Sequence, residues 1–324
     1  RLEALPEVAR LSSCVTRVLG QNPSPYALQG TNCYLVGTGP RRLLVDTGEG
    51  KRGFMSALSG VMRQAGCELE GVVLTHSHAD HMGGVPDILR ERPDLPVWRL
   101  QPAGGPAFGR TGTPEDERDP RQIWNGRWQD LRDGDVLKVE GATLRALHTP
   151  GHANDHVCLH LEEEGALFTG DHILGVGTVI VTDLDPYLAS LHRLAALRPR
   201  RIYPGHGPII EGAAAASRPG EYVEHRLRRV EACARALAAA ATATTMGGGG
   251  AGAGGRGGGG IGEEGGLTVE EVARRVYGSS LPSDAFLRHA AYCNTRCSLE
   301  KLERDGSAHR VAAGRRWASA AEPA

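Results

Sequence analysis

The sequence predicts an α/β fold followed by a small helical module, and three observations carry this. Short apolar strands alternate with helical patterns over the first two thirds of the chain. Several of those strands end in Gly- or Pro-containing turns that carry a histidine or an aspartate. Near residue 250 the composition collapses into a glycine tract, and a new helical pattern begins beyond it.

The elements follow in order. Residues 15–19, 33–36 and 42–45 are rich in β-formers between Gly and Pro punctuation and read as strands. Residues 56–65 carry an apolar face and read as a helix. Residues 71–74 are a short continuous apolar run, the pattern of a buried strand. This run leads directly into His76-Ser77-His78-Ala79-Asp80-His81. Gly83-Gly84 follows, and 85–92 is predicted helical. A strand at 143–147 ends at Thr149-Pro150-Gly151-His152, one at 166–168 at Thr169-Gly170-Asp171, and one at 201–203 at Pro204-Gly205-His206-Gly207. Residues 222–240, rich in Arg and Ala, are predicted helical.

Residues 247–260, nearly all glycine, cannot bury a core and read as a flexible tether. Beyond them Thr268 and Glu271 have the spacing of a capping box, ahead of Val269, Val272 and Val276 on one helical face. Residues 284–305 hold one or two helices, with Leu287, Leu299 and Leu302 on the apolar side, and 307–317 suit a small hairpin. Helices followed by a hairpin suggest a winged-helix-like module. The expected organisation is a catalytic domain over 1–215, a connecting helix over 216–246, a flexible linker over 247–266 and the winged-helix-like domain over 267–324.

The chain has 324 residues, 40% hydrophobic and 23% charged, ordinary for a soluble globular protein. A formal net charge of −1 supplies no global field toward nucleic acid or a membrane, so any basic surface must be local. No apolar run approaches the roughly 20 residues a membrane span needs. The seven cysteines include no CxxC pair. Cys293 and Cys297 stand one helical turn apart, which suits a buried helix face, and a reducing compartment is expected. Residues 1–20 mix Glu3 and Glu7 with Arg1, Arg10 and Arg17, a poor secretory signal and an ambiguous mitochondrial one.

The run His76-x-His78-x-Asp80-His81 packs four metal-ligating side chains into six residues. No regular strand or helix presents all four to one ion, whereas a tight turn can divide them between two ions about 3.5–4 Å apart. Imidazole and carboxylate without thiolate suit two Zn²⁺ ions, with Mn²⁺ or Fe also compatible. The expected division gives His76, His78 and His152 to one ion and Asp80, His81 and His206 to the other. Asp171 bridges them, because a carboxylate has two oxygens where a neutral imidazole has one free lone pair. Such a site leaves room for water at each ion, and the expected nucleophile is a two-metal-activated hydroxide. Asp80 and Asp171 are the candidate catalytic carboxylates.

These motifs, in this order over about residues 12–212, resemble those of the metallo-β-lactamase fold superfamily. The resemblance implies an αββα sandwich with the metals at one edge of its two sheets. Asp46, in Leu44-Val45-Asp46-Thr47-Gly48, matches a superfamily position and is expected to orient a ligand. Within the superfamily, the stretch from Leu28 through Thr31-Asn32-Cys33-Tyr34 to Arg42 resembles the β-lactamase-like protein two family of animals. So do Asp133-Gly134-Asp135, Glu140 to Arg145 and Ile202 to Pro208. That resemblance spans nearly the whole chain, the glycine tract standing as an insertion. It implies an endoribonuclease acting on single-stranded RNA in the mitochondrial matrix, the cytoplasm being the alternative, with no membrane partner.

Local positive charge is the residue-level sign of such a substrate. Arg198, Arg200 and Arg201 precede the His206 turn and are candidate RNA-binding residues, and Arg226, Arg228 and Arg229 continue the basic character. Residues 267–317 carry Arg274, Arg275, Arg288, Arg296, Lys301, Arg304, Arg310, Arg315 and Arg316 against six carboxylates, a modest positive excess that also suits a solvated helix face. Trp98, Trp124 and Trp128 are candidates for base stacking or for core packing. His156 and His172, close to ligands in sequence, are candidate proton donors or supports of the ligands. The competing reading is a glyoxalase-II-like thioester hydrolase built on the same metals.

Overall fold

The computed structural model describes residues 2–101, 128–247 and 266–320. The chain forms two compact units, Arg1–Tyr222 and Val223–Ala324.

The first unit holds two sheets. One runs in chain order through β1 (Val8–Arg10), β2 (Val15–Leu19), β3 (Asn32–Val36), β4 (Arg41–Val45), β5 (Glu68–Val73), β6 (Val97–Leu100) and β7 (Gln129–Leu131). The other contains β8 (Val136–Val139), β9 (Ala142–His148), β10 (Val157–Leu161), β11 (Ala166–Gly170), β12 (Arg201–Pro204) and β13 (Ile210–Glu211), in the order β13-β12-β11-β10-β9-β8.

Period-two alternation explains why the central strands read as unbroken apolar runs. Along β3 and β4, Tyr34, Val36, Leu43 and Val45 enter the core between the sheets, where they meet Leu144, Leu159 and Phe168 of the second sheet. Their neighbours Cys33, Leu35 and Leu44 point to the opposite face. There they pack against Phe54 and Leu58 of α1 (Arg52–Ala65), Met82 of α2 (Ala79–Met82), and Val85 and Ile88 of α3 (Val85–Glu91). α4 (Leu184–Ala196) buries Tyr187, Leu191 and Leu194 and completes the αββα layering expected from the sequence.

Strand direction places the ligand turns together. β4 and β5 are parallel, so Asp46 and Thr75 leave the sheet at one edge. β3 is antiparallel to β4, so its start, at Thr31 and Asn32, lies at that same edge. In the second sheet β11 and β12 are parallel and β9 is antiparallel to β10, so the turns at 149–152, 171 and 204–207 also share one edge.

Helix α5 (Gly212–Gly247) runs from the first unit into the second. The glycine-rich stretch lies outside the described residues apart from its two ends. The second unit continues with α6 (Val269–Tyr277), α7 (Ala285–Arg304) and the hairpin β14 (Ala308–Val311) and β15 (Arg316–Ser319). Thr268 and Glu271 make both bonds of the capping box. Residues 285–304 form one helix, which buries Leu299 and Leu302 but leaves Leu287 41% exposed, correcting its expected place on the apolar side. Leu287 stands in the first turn, four residues before Ala291, the first buried residue of the helix. Among the described residues no helix is long and apolar enough to cross a membrane.

Candidate metal centre

The HxHxDH run leaves the end of β5 as a loop and then turns into α2, with His78 as its N-cap. The change from extended to helical backbone splits the run. His76 and His78 precede the helix, while Asp80 and His81 lie on it.

The structure brings the seven candidate ligands together in two groups. His76, His78 and His152 form one, and Asp80, His81, Asp171 and His206 the other, with the ligating atoms of each group within 4.8 Å of one another. In the first, His78 Nδ1 lies 2.8 Å from His76 Nε2 and 3.1 Å from His152 Nε2. In the second, His206 Nε2 lies 3.1 Å from Asp80 Oδ2 and 3.2 Å from Asp171 Oδ1, and His81 Nε2 lies 3.4 Å from the same Asp171 oxygen. The other Asp171 oxygen faces His152 Nε2 at 3.8 Å. One carboxylate thus turns an oxygen to each group.

The second group's donor atoms are buried without hydrogen-bond partners: His81 Nε2, His206 Nε2 and Asp171 Oδ1. Buried polar atoms left unsatisfied are rare and call for an explanation such as a bound ion. Several converging on one point, all of imidazole and carboxylate type, fit a divalent cation.

Supporting groups fix which ring nitrogen faces inward. Asp46 Oδ2 accepts from His81 Nδ1 at 2.8 Å, leaving Nε2 for the cluster. Both Asp46 oxygens also accept from Thr75, from its amide and its hydroxyl. Asp46 itself sits at φ +60, a backbone conformation that Asp tolerates better than most residues. The Ile180 carbonyl accepts from His152 Nδ1 at 2.7 Å and does the same service for that ring. The glycine of Pro204-Gly205-His206 is required by close approach: a Cβ there would lie 2.7 Å from Asp171 Oδ1.

His156 and His172 are both fully buried. The Asp171 amide donates to His156 Nε2, which assigns the His156 proton to Nδ1, facing Thr149 Oγ1 at 2.9 Å. His156 Nε2 therefore holds the Asp171 backbone and carries no proton on that side. His172 lies against the Tyr187 ring, and its carbonyl accepts from the Tyr187 hydroxyl.

The arginines near β12 are not brought to the cluster. Arg201 starts that strand and pairs with Glu164 and Glu211. The Arg200 amide bonds the Gly165 carbonyl, at the turn before β11, whereas Asp171 follows β11. Arg198, Arg200 and Arg201 thus belong to the opposite end of the second sheet, because a strand separates the residues before it from those after it. Trp98 is half-buried against the core between the sheets, and Trp128 lies under the Arg99 guanidinium. Trp124 lies outside the described residues. All seven cysteines are buried and free.

Sequence reasoning missed a buried ion pair. Arg99 Nη2 lies 3.3 Å from Asp155 Oδ2, and that same oxygen accepts from Ser77, inside the HxHxDH run. It also assigned no role to Thr75. Neither Arg99 nor Asp155 is near the run in sequence, so no local signal marked them.

The Metallo-beta-lactamase superfamily model matches residues 27–206. The chain belongs to the metallo-β-lactamase superfamily. It is 36% identical over 303 residues to the "Beta-lactamase-like protein 2 homolog" of Caenorhabditis elegans, covering 92% of this chain and 87% of the relative. It is 42% identical to the "Atrochrysone carboxyl ACP thioesterase AgnL7" of Paecilomyces divaricatus over 73% of this chain and 68% of the relative. Among solved structures, a metallo-β-lactamase family protein of Thermus thermophilus superposes with a TM-score of 0.66 at 27% identity, covering 97% of this chain and 99% of that one. As a superfamily member the chain is a hydrolase with a metal-binding His/Asp cluster.

Proposed function

We propose that this metallo-β-lactamase superfamily member is an endoribonuclease that hydrolyses phosphodiester bonds of single-stranded RNA. His76, His78 and His152 would hold one divalent ion, Asp80, His81 and His206 a second, and Asp171 both, with Zn²⁺ first and Mn²⁺ or Fe as alternatives. Bound there, the ions would supply Lewis-acid activation of water and stabilisation of the charge that develops on the attacked group.

The observation that carries the hydrolase part is the pair of ligand groups sharing one carboxylate. The protein's own groups keep these ligands available. Asp46 and the Ile180 carbonyl hold the His81 and His152 rings, and Asp80, with a pKa of about 2, stays ionised. Burial opposes that charge, and His81 and His206 outweigh it.

The RNA part is supported by the chain-long resemblance to the β-lactamase-like protein two family, of which the Caenorhabditis elegans homolog aligns over 92% of the chain. Arg274, Arg275 and Arg296 are exposed in the second unit and suit phosphates. Arg228 pairs with Glu224, and Arg229 stacks on Tyr277. Placement in the mitochondrial matrix follows from the same resemblance. The thioester reading is favoured by the relative named as an acyl-carrier-protein thioesterase.

Metal-loaded protein and its His81→Ala variant, incubated with labelled single-stranded RNA and with a glutathione thioester, separate the two readings. RNA cleavage that disappears in the variant is the expected result. Efficient thioester turnover without RNA cleavage overturns the proposal.

A further inference from the structure

Thr31 and Asn32 belong to no ligand group, yet they touch both turns that supply Asp80 and His206. Both are completely buried at the start of β3. The Asn32 side-chain amide donates twice, to the Pro204 carbonyl at 2.9 Å and to the Gly207 carbonyl at 2.8 Å. Its backbone N–H donates to the Gly205 carbonyl at 2.7 Å. The Tyr34 hydroxyl adds a bond to Pro204 at 2.6 Å. On the other side, the Thr31 hydroxyl donates to the Asp80 carbonyl at 2.9 Å and accepts from Asn22 Nδ2 at 3.0 Å.

The chemistry of the pair is specific. His206 is flanked by Gly205 and Gly207, and glycine on both sides leaves the turn conformationally permissive. One carboxamide nitrogen with two N–H groups can draw together carbonyls on either side of a short turn. A carboxylate of the same shape would aim an oxygen at those two carbonyls, and in a fully buried site no water repairs the loss. Thr31 does for the Asp80 backbone what Asn32 does for the His206 turn. The two residues are adjacent on a strand of the first sheet, while the His206 turn belongs to the second.

We propose that Thr31 and Asn32 are positioning residues for the second ligand group, setting the affinity of its ion by clamping the Asp80 and His206 backbones. The first group does not depend on them, because His76 and His78 leave from β5 and His152 from the turn between β9 and β10. This inference rests on the metal reading above.

Metal titration of chelator-stripped full-length protein, with Zn²⁺ followed by calorimetry and Co²⁺ by absorption, tests it. The wild type is expected to bind two ions per chain, and His206→Ala identifies which step belongs to the second group. Asn32→Asp is expected to weaken that step by about 10–100-fold while leaving the other within about threefold. Thr31→Val should weaken the same step about tenfold, and Tyr34→Phe by less. Selective loss of one step is something a merely structural role does not produce, since general destabilisation lowers both steps and the melting temperature together. Two unchanged steps in Asn32→Asp, or equal weakening of both, overturns the clamp. If Asn32→Asp does not fold, Thr31→Val and Tyr34→Phe decide, and an unaffected second-group step in both overturns it. A wild type that binds no second ion overturns the metal reading, and the clamp with it, a result distinct from all the others.

Discussion

His152 and His206 present the same Nε2 atom to neighbouring parts of one cluster, yet their protonation is driven in opposite directions. Around His152, burial and the neighbouring His78 push the pKa down to about 4, and His76 is driven well below the usual histidine range by burial and nearby imidazoles. Around His206, burial also opposes the cation, but Asp171 and Asp80 outweigh it and raise the pKa to about 9. His81 is raised well above its usual range because Asp80, Asp171 and Asp46 overcome the same burial cost. His76 and His152 are therefore driven toward the neutral form, whereas the carboxylates around His81 and His206 favour the protonated form.

The scaffolds differ in the same way. A buried charged pair, Arg99 and Asp155, steadies the first group through Ser77, while neutral amide and hydroxyl groups of Asn32 and Thr31 grip the backbones of the second. Two designs with one catalytic purpose should therefore fail in different ways.

The shared residue should cost most. Asp171→Ala removes the one carboxylate that faces both groups and is expected to lower hydrolysis about a thousandfold. Steady-state kinetics with metal in excess measures this, and a variant keeping more than about a tenth of wild-type kcat would show that the two groups act separately.

Breaking the first group's scaffold comes next. Arg99→Met leaves the Asp155 carboxylate buried without its cation and should cost about 3 kcal/mol of stability. Denaturant unfolding checks it, and Arg99→Met/Asp155→Leu should recover most of the loss, because removing both charges removes the uncompensated one. A double variant as unstable as the single one would place the role of Arg99 in packing on Trp128 instead.

The smallest effect is in pH dependence of the chelator-stripped protein. His206 has a raised folded pKa, so its contribution to stability is fully present below about 6.5 and is lost as pH rises through about 9. His152 has a depressed folded pKa, so its contribution is present above about 6.5 and is lost as pH falls through about 4. Melting curves from about pH 4 to about pH 10 should show His206→Ala flattening the alkaline limb and His152→Ala the acid limb. Parallel profiles for the two variants would mean that both groups sit in one common field.

Much of this candidate centre was legible in the sequence because its candidate ligands sit in short motifs at strand ends. HxHxDH concentrates four of them in one turn, and the Gly-flanked His152, Asp171 and His206 stand where β-patterned runs stop. The capping box at Thr268 was equally readable, since both partners lie within one helical turn. Composition and charge said little about the arginines. Arg201 looked available to a phosphate until the structure paired it with Glu164 and Glu211 at the far end of β12.

By itself, then, the sequence determined the candidate ligand set and the alternation of strands and helices, because each depends on residues close together in the chain. Only the tertiary structure decided what surrounds those ligands. The opposite fields at His152 and His206 arise because folding sets His206 against both Asp80 and Asp171, at 3.1 and 3.2 Å, whereas His152 meets His78 at 3.1 Å and only the far oxygen of Asp171 at 3.8 Å. The Asp155–Arg99 pair and the Thr31–Asn32 clamp join residues separated by 49 to 175 positions. Contacts at such separations leave no local pattern, because burial and hydrogen bonding there are set by how the two sheets meet, not by neighbours along the chain.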